Sequence, residues 1–201
     1  MTTTAESGAA RPGLTRSQQA RRERVIRAAL ELGAEGGYDA VQMRDVAARA
    51  EVALGTIYRY FPSKDALLVA VMIQWVEDLR RRVNRHPPVG ETTVERITDV
   101  LGRALRAMDR EPKLTSAVIT AMTAGDPAVV DAMIEVTGVM AHILRPAFPP
   151  DVDPEVEAAA AKVIGHVWWS ATIAWANGRG DLDWVADELR IATELIATRF
   201  G

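Results

Sequence analysis

Polar and aromatic side chains between Thr56 and Lys64 bring hydroxyl groups, a guanidinium group and an ammonium group into a short stretch. Tyr58, Arg59 and Tyr60 share a predicted helix with Thr56. Groups of these types hydrogen-bond to phosphate oxygens and base edges of nucleic acids. Lys64 falls in the first turn of the next predicted helix, where the backbone N–H groups and the helix dipole favour bound phosphate. The stretch therefore predicts contacts with DNA.

Two short helices must position these side chains. The segment from Val41 to Lys64 predicts a helix from Met43 to Ala50, a turn at 51–53 and a second helix from Leu54 to Tyr60. Apolar residues recur in the first helix at three- and four-residue steps, whereas the second helix can bury few of its side chains. This order predicts a helix-turn-helix, whose second helix enters the major groove of DNA. A plain packing unit of the same shape is the alternative interpretation.

Charge is divided unevenly along the chain. Residues 1–64 hold ten Lys and Arg against seven Asp and Glu, a balance of +3, although the whole chain carries −3. Six arginines and one glutamate lie between Arg11 and Leu30, on a predicted basic helix that begins at Thr15. Such a helix can lie along a phosphate backbone, and a solvated basic face is the alternative. Residues 1–14 are small, polar and interrupted by Gly and Pro, so we expect a disordered arm.

The residue types expected of an enzyme or a metalloprotein are scarce. The chain has no cysteine and three histidines, none with a partner at metal-ligand spacing such as His-x-x-x-His. We therefore expect no catalytic residue, no metal site and no cofactor. The most apolar window, 163–176, is shorter than the roughly 20 residues that cross a membrane, and no secretory signal begins the sequence. The expected location is the cytoplasm.

Helical spacing and capping signals continue through the rest of the chain. A long fourth helix follows Ser63 and ends at the RHPPVG segment, 85–90, and five further helices are separated by Pro and Gly. The predicted fold class is all-α, with about nine helices. The predicted domains are a three-helix helix-turn-helix domain over 15–64 and a helical domain over 65–201, to which we assign ligand binding and dimerisation.

The last two predicted helices are apolar on more than one side. A helix that needs two apolar partners often finds the second in another subunit. We therefore expect a homodimer with two helices from each chain at the interface, and a fully internal helix pair is the alternative. The predicted dimerisation residues are Trp169, Ile173, Trp184, Ile191 and Leu195.

Methionine and other large apolar residues lie on the inward stripes of several predicted helices of the body. Methionine side chains adapt to irregular shapes, so these stripes can accommodate a large hydrophobic ligand. An ordinary packed core is the alternative. The candidate ligand-binding residues are Met72, Trp75, Leu105, Met108, Val118, Met122, Met133, Met140 and Trp168.

The segment around the second short helix resembles the TetR family of bacterial one-component transcriptional regulators. The resemblance covers about residues 20–75 and is carried by GTIYRYFPSK, with MRDVAARAEVA before it and ALLVAVM after it. The segments GGYDAVQMRDVA and VALGTIYRYFPSK also resemble the repressors of sterol catabolism within that family. The DNA-contacting residues that the resemblance implies are Gln42, Arg44, Leu54, Gly55, Thr56, Tyr58, Arg59, Tyr60 and Lys64.

The resemblance further implies a homodimeric repressor that binds a palindromic DNA operator. A hydrophobic small molecule, such as a steroid or an acyl-CoA, would enter the body and release the DNA, and Arg103 or Arg106 would meet the phosphates of an acyl-CoA. Two alternatives remain open from the sequence: a helical protein-interaction module without DNA binding, and an activator of the same fold. Because phosphate contacts weaken steeply with salt, salt-sensitive retention on DNA would distinguish DNA binding from a protein interaction.

Overall fold

The structure, a computed structural model, describes residues 14–198, and within this range nine α-helices and one short 3₁₀ helix occur without a strand. The predicted all-α fold class is therefore confirmed. Apart from Leu14, the arm predicted at 1–14 lies outside the described residues. The helices are α1 (Arg16–Ala40), α2 (Met43–Arg49), α3 (Leu54–Tyr60), α4 (Lys64–Arg85), α5 (Thr93–Arg110), α6 (Pro112–Thr123), α7 (Pro127–Leu144), α8 (Pro154–Ala176) and α9 (Leu182–Ala197).

Helix α1 begins where the sequence predicts and continues further than expected. The Thr15 hydroxyl accepts a hydrogen bond from the Gln18 N–H, and the Gln18 side chain accepts one from the Thr15 N–H, which completes a capping box. The sequence predicts that the helix stops at Gly36 and Gly37. Instead the chain kinks at Gly37, whose φ is 74°, and helical structure resumes as far as Ala40. The kink needs glycine because this φ is unfavourable for other residues.

The helix-turn-helix has the predicted order and nearly the predicted bounds. Val46 and Ala47 of α2 and Ile57 of α3 are buried, so each short helix is held to the core by a few apolar residues. The turn between them contains Glu51, whose φ is 54°, in the left-handed region that glycine occupies most easily. The first helix of the pair ends one residue earlier than predicted, at Arg49.

A first hydrophobic cluster joins the helix-turn-helix to part of the body. It contains buried residues of α1, α2, α3, the first two turns of α4, α6 and Val129 at the start of α7. Helix α1 packs so closely along α6 that a Cβ on Gly33 would lie 2.4 Å from Cδ1 of Leu114. The predicted boundary between residues 64 and 65 stays a prediction, but apolar packing crosses it.

A second hydrophobic cluster fills the rest of the body. It joins the later part of α4 to α5, α7, α8 and α9, and Met72 packs against both clusters. Helix α4 therefore runs from one cluster to the other, with buried residues up to Val71 in the first and from Val76 in the second. Among the described residues, no helix combines the length and apolar character that membrane crossing requires.

Candidate DNA interface, effector groove and dimer face

Helix α3 directs its chemistry away from the protein. Ile57 is fully buried, whereas Tyr58 is 50% exposed and Arg59 and Gly55 are exposed. Thr56 is half-buried. The helix therefore presents a small residue, a phenol and a guanidinium group to the outside, in agreement with the predicted outward face.

Gly55 occupies open space. A Cβ placed on this residue would have no other atom of the described chain within 4 Å, and its φ lies outside the left-handed region. The fold itself therefore does not require glycine at this position. A glycine that the fold does not need lets another molecule approach the helix backbone closely.

The residues at the starts of α2 and α3 differ in exposure and in the hydrogen bonds that their side chains make. Arg44 is exposed and makes no hydrogen bond or ion pair within the described chain. Gln42 is also exposed, but its Nε2 donates to the carbonyl oxygen of Asp39 at 2.8 Å. Leu54, at the start of α3, is half-buried and packs against the first cluster.

Tyr60, which the resemblance implies as a DNA contact, does not present its hydroxyl group on the outside of α3. This oxygen is buried and has no hydrogen-bond partner in the described chain. The centroid of the Tyr60 ring lies 6.3 Å from the centroid of the Phe61 ring. It lies 5.4 Å from the guanidinium carbon of Arg59. Phe61 is buried in the first hydrophobic cluster, and the Tyr60 ring packs against the same cluster. In this conformation the hydroxyl cannot reach a phosphate.

Lys64 is held by the end of α1. Its Nζ donates to the carbonyl oxygen of Tyr38 at 3.2 Å and lies 3.6 Å from the centroid of the Tyr38 ring. The Tyr38 hydroxyl donates to Oδ1 of Asp65 at 2.7 Å, and this hydrogen bond, with burial and the Asp65 charge, raises the pKa of Tyr38 to about 12. An ammonium group has three N–H donors, so Lys64 retains donors for a phosphate while it is held in place.

The arginines of α1 divide into two groups. Arg24 donates from Nε to the carbonyl oxygen of Ala50 at 3.2 Å and so caps the end of α2. Arg22 lies with its guanidinium carbon 5.3 Å from the centroid of the Phe61 ring. Those with no hydrogen bond, ion pair or ring contact within the described chain are Arg16, Arg21 and Arg27. The second group has all its donors available for phosphate, whereas Arg22 and Arg24 are partly engaged within the fold, and the phosphate-contacting role of α1 stays a prediction.

Helices α8 and α9 expose part of the predicted dimerisation surface. Leu195 is 69% exposed and Ile191 is 46% exposed, one turn apart on α9. The other three predicted residues are half-buried: Trp169 packs on the first cluster, and Ile173 and Trp184 pack on the second. Val163 of α8, which is not among the predicted dimerisation residues, is 47% exposed. Ile191, Leu195 and Val163 are thus large apolar residues that α8 and α9 leave exposed.

The candidate ligand-binding residues are distributed between packed core and an open groove. Leu105, Met108 and Val118 are buried in the clusters, and the half-buried ones packed against them are Met72, Trp75, Met140 and Trp168. Met122 and Met133 line a groove of about 440 Å³ at the junction of α6 and α7. The remaining lining residues, which sequence reasoning did not identify, are Gly125, Asp126, Val129, Val130, Ile134 and Thr137.

Arg103 is not available for the phosphates of an acyl-CoA. Its guanidinium group donates to the carbonyl oxygens of His86 and Pro87, at 2.6 and 3.2 Å, and to Asp99 at 2.5 Å. Burial alone would raise the pKa of Asp99, but the hydrogen bonds from Arg103 and from the Val89 N–H lower it below its ordinary value. Arg103 thus fixes the segment between α4 and α5, while Arg106 is exposed. The described residues contain no group of His, Asp and Glu that could hold a metal ion.

Two family models match this chain. The first, described as bacterial regulatory proteins of the tetR family, matches residues 25–71, which include the helix-turn-helix. The second, described as a tetracyclin repressor-like C-terminal domain, matches residues 90–196. Together they cover the helix-turn-helix and the part of the body that carries the groove and the exposed residues of α9.

Individual relatives agree with these matches. The chain is 39% identical over 180 residues to the transcriptional repressor KstR of Rhodococcus jostii, an alignment that covers 90% of this chain and 84% of that protein. A crystal structure of a TetR transcriptional regulator from Rhodococcus sp. RHA1 is 32% identical, with a TM-score of 0.80 and coverage of 90% and 97% of the two chains. Thermus thermophilus FadR, solved in complex with lauroyl-CoA, shares the fold at 24% identity, with a TM-score of 0.63 and coverage of 87% and 92%. The predicted resemblance is confirmed, and the chain belongs to the TetR family of bacterial regulatory proteins.

Proposed function

We propose that the protein is a transcriptional repressor that binds a palindromic DNA operator as a homodimer and is released from it by a hydrophobic small molecule. The outward face of α3 carries this proposal, because Gly55, Tyr58 and Arg59 are exposed there and the fold does not require glycine at position 55. The similarity to KstR repressors over 90% of the chain supports repression rather than activation. The function requires access to the chromosome and therefore a cytoplasmic location.

The proposed DNA contacts follow from the chemistry of each exposed group. Arg44, Thr56 and Tyr58 face bases from the ends of α2 and α3, since guanidinium and hydroxyl groups can hydrogen-bond to base edges in the major groove. Arg59 and Lys64 contact phosphates, which fix the orientation of the helix on the duplex. Arginines of α1 extend this surface, and their cationic groups make binding sensitive to salt.

Dimerisation supplies the DNA affinity that a single, modestly basic helix-turn-helix domain (residues 15–64, here called the head) lacks. Two helix-turn-helix units related by a two-fold axis must lie about 34 Å apart to meet successive major grooves. We assign this spacing to a dimer that pairs the exposed faces of α8 and α9, including Ile191, Leu195 and Val163. Residues 15–64 act as the DNA-binding domain and residues 65–201 as the ligand-binding and dimerisation domain. Helix α4 connects the two, because it packs in both hydrophobic clusters.

The proposed effector is a large hydrophobic molecule, such as a steroid or an acyl-CoA. The groove of about 440 Å³ lies within the size range of small-molecule sites and is lined mainly by apolar side chains. The lauroyl-CoA bound to Thermus thermophilus FadR is an example of such a ligand on the same fold. A ligand that binds more tightly to a dimer with altered head spacing lowers the affinity for the operator. DNA lowers the affinity for the ligand by the same coupling free energy, typically about 1–3 kcal/mol.

A matched pair of arginines tests the DNA interface. Arg44 and Arg145 are both exposed, and neither side chain has a hydrogen bond or ion pair in the described chain, but only Arg44 lies on the proposed interface. An operator is first selected from a random DNA library, and binding is then measured by gel shift. We expect Arg44→Ala, and likewise Tyr58→Ala, to weaken operator binding about 10-fold, with little change for Arg145→Ala. If the proposed interface variants bind as tightly as the wild type, the assignment of α2 and α3 to DNA is incorrect.

A further inference from the structure

The effector groove and the start of α4 meet at one residue. Asp126 lies in the connection between α6 and α7 and lines the groove together with Gly125 and Val129. The same side chain accepts a hydrogen bond at Oδ2 from the hydroxyl of Ser63, which immediately precedes α4. Any molecule that fills the groove beside Asp126 therefore lies next to the group that holds the first turn of α4.

Ser63 has a second role that fixes its position. Its hydroxyl oxygen accepts a hydrogen bond from the Ala66 N–H at 3.0 Å and so forms the N-cap of α4. It is separated from the end of α3 by two residues, Phe61 and Pro62. The next residue, Lys64, is bound to Tyr38 of α1. The start of α4 is thus tied to the DNA-binding helices on one side and to the α6–α7 connection of the body on the other.

The composition of the groove defines the kind of molecule that suits it. Among the described residues that line it, Asp126 and Thr137 are the polar ones, and none is a lysine, arginine or histidine. A carboxylate in apolar surroundings repels an anionic head group and favours a hydrogen-bond donor. The groove therefore suits a neutral hydrophobic molecule that carries a hydroxyl group, rather than the phosphates of an acyl-CoA.

We propose that Asp126 is the positioning residue that couples effector binding to DNA binding, an inference that rests on the function proposed above. The hydroxyl of a neutral effector in the groove donates to the Asp126 carboxylate and displaces the Ser63 hydroxyl. Ser63 keeps its N-cap hydrogen bond, so α4 remains helical, but the start of α4 loses its polar link to the α6–α7 connection and is held to the body by apolar packing alone. The two heads of the dimer then leave the spacing that the operator requires, and DNA affinity falls.

Substitutions at Ser63 separate the anchor from the cap. Aspartate and asparagine are both good N-caps, so Ser63→Asp and Ser63→Asn both retain the hydrogen bond with the Ala66 N–H. Only asparagine has an N–H donor for Asp126, whereas aspartate repels it. We expect Ser63→Asp without effector to bind the operator about 5-fold or more weakly, and Ser63→Asn to bind like the wild type. The double variant Ser63→Asp with Asp126→Ser exchanges donor and acceptor, and it should restore operator affinity.

Amide hydrogen exchange provides a readout that needs neither DNA nor a dimer. In Ser63→Asp, peptides that cover the start of α4 and the α6–α7 connection should exchange faster than in Ser63→Asn, while α9 should be unchanged. Equal exchange in the two variants, together with equal operator affinity, would overturn the coupling role of Asp126. If no variant, including the wild type, binds any selected DNA, the proposed function fails, and hydrogen exchange still tests the anchor.

The effector class is tested with two probes, the neutral 3β-hydroxysteroid dehydroepiandrosterone and the anionic lauroyl-CoA. The steroid should lower operator affinity of the wild type and of Ser63→Asn about 5-fold or more. In Ser63→Asp the anchor is already absent, so the steroid should change affinity less than about 2-fold. A full response of Ser63→Asp to the steroid overturns the coupling through Asp126. A wild-type response to lauroyl-CoA alone, or to neither probe, overturns the neutral ligand class.

Discussion

Helices α3 and α9 both expose side chains that the fold of one chain does not use, but the chemistry of the two surfaces differs. Helix α3 presents Gly55, Tyr58 and Arg59, which can hydrogen-bond to a polar partner at close range. Helix α9 presents Ile191 and Leu195, one turn apart, whose side chains have no hydrogen-bonding groups. Each helix is anchored in the core by its opposite side, through Ile57 in α3 and through Val185 and Leu189 in α9.

The chemistry of an exposed surface therefore predicts the class of molecule that binds to it. Polar and aromatic side chains next to a glycine, as at Gly55, suit a nucleic acid, because they can reach both base edges and phosphates. An apolar stripe suits a second protein surface, because burying it removes apolar area from water. Substitutions on α3 should therefore change DNA binding alone, whereas substitutions on α9 should change assembly first and DNA binding as a consequence.

The largest effect is expected from a charge placed on α9. Leu195→Glu puts a carboxylate at a site that is 69% exposed in one chain, so the monomer should fold normally. In the proposed dimer the carboxylate would be buried against an apolar surface, which is unfavourable, and the chain should become monomeric. Loss of the second head should weaken operator binding about 100-fold or more, because two linked contacts reinforce each other. Sedimentation and gel shift measure the two changes on one sample.

Val89→Glu is the matched control for this experiment. Val89 is 66% exposed and lies in the segment between α4 and α5, so it belongs to neither of the two helices under comparison. It should leave the assembly state and operator affinity unchanged. If Leu195→Glu remains dimeric, the apolar face of α9 does not form the interface.

A smaller effect is expected from one methyl group on α3. Gly55→Ala meets no atom of the described chain within 4 Å, so unfolding should not become easier. On the operator the methyl group would stand between the helix backbone and DNA, and affinity should fall about 10-fold, in the range of one lost base contact. Chemical unfolding and gel shift together separate the two outcomes.

Gly138→Ala supplies the comparison. Gly138 lies inside α7 and is also clear of other atoms of the described chain. Alanine there should raise the unfolding free energy by up to about 1 kcal/mol, because glycine destabilises a helix interior, and should leave DNA binding unchanged. Unaltered operator affinity in Gly55→Ala would mean that DNA does not approach α3 closely at this position.

The fold was predictable because its signals are local. Capping boxes at Thr15 and Thr92, the N-cap at Ser63 and prolines at the first turns of α7 and α8 mark helix starts in the sequence itself. The length of α1 was not predictable from Gly36 and Gly37, since a helix can resume after a kink when its far side has a surface to pack on.

The candidate sites were less predictable because they depend on contacts between distant residues. Nothing in the sequence brings Asp126 to Ser63, or Arg103 to the carbonyl oxygens of His86 and Pro87, although each residue type is visible in it. Likewise the burial of the Tyr60 hydroxyl depends on tertiary packing that helical spacing does not describe. The exposed face of α3 was predictable because the helix is too short to have more than one buried stripe.

The smallest effect is expected at the turn that precedes α3. Glu51 holds a φ of 54°, which costs an ordinary residue about 1–2 kcal/mol, so Glu51→Gly should relieve this strain. Glycine also makes the unfolded chain more flexible, which offsets part of the gain, and we expect the unfolding free energy to rise by up to about 1 kcal/mol. Glu51→Ala removes the same charge but keeps the unfavourable φ, so it should not stabilise the protein. Equal stabilisation by both substitutions would attribute the effect to charge rather than to the backbone.

Neither substitution alters the exposed surfaces of α3 or α9, so dimerisation should be unchanged in both variants. At this turn the stability of the fold can therefore be varied independently of assembly.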